Sequence, residues 1–154
     1  MIVHKLSNHF FDDDFKLIAI HTTMEDYQLV YFLNKILKLR LVKNKKEDRL
    51  IVNEDVRFSY YHWNDESSKV IWHCFANKVI FEKEMVGTSL FATVPTTNYL
   101  IDNKKKVDFF LKIDAEERFD ELSVIKKIMI IPNISAVYTI NIDTLSSKHK
   151  LIFQ

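Results

Sequence analysis

Leu17, Ile18 and Ile20 crowd apolar side chains into the short segment between Phe15 and His21, which reads as a strand. Thr22-Thr23-Met24-Glu25 follows with the spacing of a capping box. There the Thr hydroxyl accepts from an early helical N–H and the Glu side chain returns to the N–H of the cap. Tyr27, Val30, Leu33 and Leu37 then recur at three- and four-residue steps, and Leu29, Phe32 and Ile36 widen the stripe, predicting a helix buried on most sides. Asn34, inside that helix, is expected to satisfy a neighbouring buried group. Leu39, Leu41 and Val42 continue as a second strand, ended by the charged run 44–49.

From residue 50 to residue 94 the pattern changes to short β-branched and aromatic segments separated by polar turns: 50–52, 56–62, 70–75, 79–82 and 90–94. This predicts an antiparallel meander with its clearest hairpin turn at residues 64–68. Pairing residue 63 with residue 69 across that turn would set His62 opposite Val70 and keep it away from His73. Val107 to Ile113 forms a further strand. Asp114 is the expected cap of a second helix starting near Glu116, in which Phe119, Leu122, Ile125, Ile128 and Met129 carry the period, and Pro132 ends it. Ser135 to Ile142 returns as a strand. The two helices align residue for residue, Tyr27 on Phe119 through Ile36 on Ile128, which supports a pair of similar βαβ units.

The expected fold is therefore α+β, a ferredoxin-like pair of βαβ units with an enlarged, mostly antiparallel sheet and two main helices. A different two-layer α+β sandwich is the alternative. A chain of 154 residues with 47% hydrophobic side chains and twelve Phe can build this as one domain over 1–154, burying about two-thirds of its unfolded surface. Charge adds little, since 22 Lys and Arg face 21 Asp and Glu, and no field of the whole molecule draws it to nucleic acid or an acidic membrane. A lone cysteine, Cys74, cannot close a disulfide within the chain, and the N-terminus lacks a secretory pattern, so the cytoplasm is the expected location. No apolar run is long enough for a membrane helix.

Glycine is the most informative count. With Gly87 alone, neither a phosphate-cradling loop, a dinucleotide fingerprint nor a G-x-S-x-G elbow can be written, and no cofactor is expected. His9 with Asp12, Asp13 and Asp14 lacks metal-ligand spacing. Residues able to bind a ligand are His21 at a strand end, Asp26 and Tyr27 on the first helical turn, and Asp108, a carboxylate in an apolar strand. Each also has an ordinary structural use, and Asp108 is expected to pair with Lys106 or Arg118. Cations from Lys35 to Arg49, with Lys106-Val107-Asp108-Phe109-Phe110-Leu111 placed like an RNA-stacking strand, suggest weak RNA binding. Val107 and Asp108 are too large to let bases reach the rings, so nucleic acid is disfavoured.

Residues 99–113, Tyr-Leu-Ile-Asp-Asn-Lys-Lys-Lys-Val-Asp-Phe-Phe-Leu-Lys-Ile, resemble the signature of the IPExxxVDY family of small Bacteroidota proteins. Ile20-His21-Thr22, Glu25-Asp26-Tyr27, Leu33-Asn34-Lys35, Ile131-Pro132 and Leu151-Ile152-Phe153 extend the likeness over most of the chain. Ile101, Val107 and Asp108 match the motif, while Asp102, Asn103 and Phe109 replace its Pro, Glu and Tyr. The resemblance implies a cytoplasmic domain and names no reaction. The functional expectation is a non-enzymatic domain acting through a protein partner or a small regulatory ligand, with association between copies open to it through an exposed sheet edge or face. The alternatives are an enzyme using Asp108, His21 and Asp26, and a weak RNA-binding module.

Overall fold

The computed structural model describes residues 15–43, 49–53, 56–84, 93–116, 118–145 and 151. Strand β1 (Lys16–Thr22) leads to helix α1 (Asp26–Leu37), then to β2 (Arg49–Asn53), β3 (Val56–Asp65), β4 (Val70–Ala76), β5 (Lys78–Glu84), β6 (Thr93–Tyr99) and β7 (Phe109–Ala115). Helix α2 (Glu121–Ile128) and β8 (Ile134–Ile140) follow. Six strands make one sheet in the order β2-β3-β4-β7-β1-β8, every neighbouring pair antiparallel, while β5 and β6 form a separate two-stranded sheet. The molecule is α+β with a mostly antiparallel sheet and two helices, as the periodicity predicts. The enlargement differs from the one expected: β2 and β3 extend one edge of the sheet, while β5 and β6 leave the meander and pair with each other.

Strand alternation sorts the β-layer into two apolar faces. Ile18 and Ile20 of β1, Trp72 and Cys74 of β4, and Leu111 and Ile113 of β7 pack against Leu29, Val30 and Leu33 of α1 and Val124 and Ile128 of α2. Leu17 and Ala19, Phe58 and Tyr60, Phe75 and Phe110 fill the other face, joined by Val79 and Phe81 of β5. Both faces are thus covered, and the sheet is the middle layer. Pro95 is tolerated in β6 because that two-stranded ribbon leaves an outer edge needing no donor.

Asn77 makes the corner where the chain leaves the sheet. Fully buried, its side-chain amide donates to the carbonyls of Lys104 at 2.8 Å and Val107 at 3.0 Å and accepts the Ile101 N–H at 2.8 Å. Its backbone N–H reaches the Asp108 carbonyl, and its carbonyl takes the Leu100 N–H. One asparagine therefore ties the start of β5 to residues 100–108, satisfying polar groups that burial would otherwise strand.

Local expectations are corrected in several places. The cap of α1 is Glu25, in a box with Gln28, while Thr22 Oγ1 accepts from Met24 N–H and donates to the Asn133 carbonyl. Tyr27 is 63% exposed, so α1 buries a narrower stripe than its composition suggests. Residues 39–42 form only an isolated bridge, Val42 to His62, with Leu41 held through both its backbone groups by Asn34, the use expected of that residue. Asp114 stays in β7, and Asp120 caps α2, which begins too late for Phe119 to match Tyr27 within a helix. The hairpin closes with Asp65 opposite Val70, so His62 faces His73 and not Val70. Here Lys69 turns left-handed, at φ 57°, and Asp65 accepts from the Ser67 and Ser68 hydroxyls, drawing the chain around. The segments 1–14 (with His9 and Asp12 to Asp14), 44–48 and 85–92 lie outside the described residues.

Candidate functional site

Of the four residues singled out from sequence, His21, Asp26 and Asp108 are held at different places, and the Tyr27 side chain is exposed. Asp26 begins α1 and accepts from the Ser59 hydroxyl, from Tyr27 N–H at 2.7 Å and weakly from the Tyr61 hydroxyl at 3.4 Å, with Lys43 Nζ also 3.4 Å away. Burial pushes its carboxyl up, but the bonds from Ser59 and Tyr27 and the Lys43 charge outweigh it, and the group sits below the usual carboxylate range. Burial, with the Asp26 carboxylate adding to it, pushes the Tyr61 phenol up to about 12, and Lys43 lies over its ring. His21 Nε2 is 2.8 Å from the Tyr138 hydroxyl, the two rings tilted against each other. Asp108 takes the Thr22 N–H at 2.9 Å, and its own N–H reaches the Ile20 carbonyl. Asp108 is thus paired with backbone and not with Lys106 or Arg118, and it stitches the start of β7 to the end of β1.

A constellation not seen from sequence occupies the sheet face opposite the helices. Tyr60 of β3 sets its hydroxyl 2.5 Å from His73 Nδ1, and His73 Nε2 lies 2.8 Å from Asp114 Oδ2, which Lys112 Nζ approaches at 3.1 Å. Tyr60, His73 and Lys112 are buried, and Lys112 also lies over the Phe15 ring. Desolvation holds the His73 imidazole below its ordinary value, with the Lys112 charge adding to it against the pull of Asp114. Burial raises Asp114, yet the His73 bond and the Lys112 charge bring it below the usual carboxylate range. With His73 neutral and Asp114 ionised, Nε2–H donates to Asp114 and the Tyr60 hydroxyl donates to Nδ1. His62 stacks on Tyr60, and its buried Nε2 has no hydrogen-bond partner among the described residues. The signal available in sequence was the alternation of Tyr60, His62 and His73 with apolar neighbours, but only the correct register brings them together.

A second feature lies on α2. An open groove of about 450 Å³ is lined by Asp120, Leu122, Ser123, Lys126, Lys127 and Ile130. Leu122, Met129 and Ile130 are 65%, 64% and 75% exposed, although the same segment buries Val124 and Ile128. Asp120 is engaged in capping Ser123, and Glu121 accepts from Thr139 and faces Lys16. Lys126 and Lys127 make no ion pair among the described residues.

The aromatic pair placed like that of an RNA-stacking strand is inside the protein, Phe109 8% and Phe110 0% exposed. Of the basic run, Lys43 pairs with Asp26, and Lys45 and Lys46 lie outside the described residues. No group of three or more metal-ligating side chains occurs among the described residues, and no helix there is long and apolar enough to cross a membrane. Ile101, Val107 and Asp108 hold the fold: the first two are buried and the third binds backbone. No family model, curated protein or solved structure matches the chain.

Proposed function

We propose that the protein is a non-enzymatic cytoplasmic interaction domain that contacts a protein partner through the surface of α2. The observation that carries this reading is the exposure of Leu122 and Ile130 in one groove, with Met129 also exposed, on a helix and its following turn already docked through Val124 and Ile128. Side chains of this size gain nothing from water, and a contiguous apolar patch on a folded surface is the usual mark of an association site. The free-thiol chemistry of Cys74, buried and alone, suits a reducing compartment. We place the chain with the IPExxxVDY proteins on the motif resemblance. The strands β8-β1-β7-β4 with α1 and α2 are read as a ferredoxin-like core, because β1 runs parallel to β4 across β7, and β7 parallel to β8 across β1. The test compares wild type with Ile130→Ser and Leu122→Ser in light scattering and in capture from the native cytoplasm. Loss of a wild-type partner in both variants, with unchanged circular dichroism, is the expected result. A wild type that stays monomeric and captures nothing overturns the reading.

A second reading, an enzyme, is favoured by the Tyr60–His73–Asp114 chain. In it His73 draws the phenolic proton while Asp114 balances the imidazolium, leaving the Tyr60 oxygen a base or nucleophile. This moves the enzyme alternative away from His21, Asp26 and Asp108. Turnover in a screen of esters and phosphoesters that disappears in Tyr60→Phe and survives Asp26→Asn would establish it. Turnover unaffected by Tyr60→Phe, or none in wild type, would end it.

A further inference from the structure

We infer that the partner seated on α2 presents an amphipathic segment whose apolar side chains are flanked by carboxylates. This rests on the interaction reading above and adds the chemistry of the occupant. Leu122 and Lys126 stand four residues apart on α2, and Ile130, in the turn just past its end, lines the same groove with them and Lys127, with Met129 at the C-cap. The apolar members are more than three-fifths exposed, and the two ammonium groups are without an ion pair among the described residues. Lysines near a helix C-terminus are favoured by its dipole, which accounts for their presence but not for three large apolar side chains in water beside them. A complementary occupant covers the apolar stripe and brings negative charge to Lys126 and Lys127.

A second copy of the chain fits this surface poorly. An isologous contact repeats each pairing about a two-fold axis. Laying Leu122 against Ile130 of the other copy brings the two Lys126 ammonium groups together on that axis. Shifting the register until Glu121 meets Lys127 of the other copy relieves the repulsion but separates the apolar side chains. In addition, the acids of this helix are already used, Asp120 as the cap and Glu121 toward Thr139 and Lys16. The contact is heterologous, and the partner supplies the acid.

The experiment displays a library of amphipathic helical peptides, with acidic, neutral or basic residues flanking a constant apolar stripe, to the folded full-length chain. Acidic flanks should be enriched. The selected peptides should lose about tenfold or more in affinity against Lys126→Glu/Lys127→Glu and weaken as salt rises, since the attraction is between surface charges. Enrichment of basic peptides by the reversed variant would complete the case. Selection indifferent to flanking charge, or acidic peptides that bind the reversed variant equally well, overturns the inference. The two levels separate cleanly. A captured protein that needs Ile130 but ignores Lys126 and Lys127 leaves the interaction domain standing and removes the acidic partner, whereas capture insensitive to Ile130 removes both. Self-association abolished by Ile130→Ser would instead assign the surface to a second copy.

Discussion

His73 Nε2 lies 2.8 Å from Asp114 Oδ2, a bond between β4 and β7 that links residues 41 positions apart in sequence. Because burial favours the neutral imidazole, the bond works as a one-proton donation to an ionised carboxylate. Removing the acceptor takes this bond away in a buried place. Asp114→Ala should therefore destabilise the fold by about 1–3 kcal/mol in urea denaturation, with Asp114→Asn nearer the low end because an acceptor remains.

The same group sets a pH dependence. The folded pKa of His73 is lowered from the ordinary 6.5, so below that value the unfolded chain binds a proton that the folded chain refuses. Stability contributed by neutral His73 is complete above about 6.5 and falls progressively as the pH drops toward its lower folded value. Asp114, also lowered, has the same sign but acts below the ordinary carboxylate value of 3.8. Urea midpoints measured from pH 8 to pH 5 should decline in wild type and flatten in His73→Gln. An equal decline in both would show that other groups govern this window.

Asp108 distinguishes scaffold from chemistry. Its carboxylate accepts one backbone N–H, from Thr22, so Asp108→Asn preserves an acceptor of similar shape and should cost less than about 1 kcal/mol. Asp108→Ala should cost about 1–3 kcal/mol by stranding that N–H. Chemical denaturation of the two variants checks the ordering, and equal losses would point to a role for the charge itself.

Asn77 is the most demanding single position. Its side chain serves three backbone groups at once in a fully buried corner. Asn77→Ala should lower stability by about 3 kcal/mol or more and expose residues 100–108 to faster amide hydrogen exchange than the helices. Uniform exchange over the whole chain would argue against a local knot.

Cys74 should be inert in the native state. Wholly buried on the helix-facing side of β4, its thiol is pushed up to about 12 by desolvation, with the Asp26 carboxylate adding to it. Thiolate is the reactive form, so a disulfide-exchange reagent should modify the protein only at the rate of unfolding and promptly in denaturant. Rapid native-state labelling would contradict the packing described for this residue.

Much of the scaffold was legible along the chain. The apolar run before His21, the three- and four-residue spacing from Tyr27 to Leu37, and the β-branched pieces after residue 56 each encode an element through neighbouring side chains. Asn34 was readable for the same reason, since its partner Leu41 is only seven residues away. Candidate chemistry was less legible. His21, Asp26 and Asp108 were found as residue types, but their partners Tyr138, Ser59 and Thr22 lie 117, 33 and 86 residues distant.

What the sequence by itself determined is therefore the alternation within each strand and the presence of each helix, because both follow from a backbone period that side chains reveal locally. Tertiary structure alone decided that β7 inserts between β1 and β4, that β5 and β6 fold away to cover the second sheet face, and that His62 meets His73. It also decided that Leu122 and Ile130 face water while Val124 and Ile128 do not. The physical reason is that a strand's pattern is nearly as well satisfied in several registers and neighbours. The choice among them is made by contacts such as those of Asn77 and Asp65, whose partners no local period identifies.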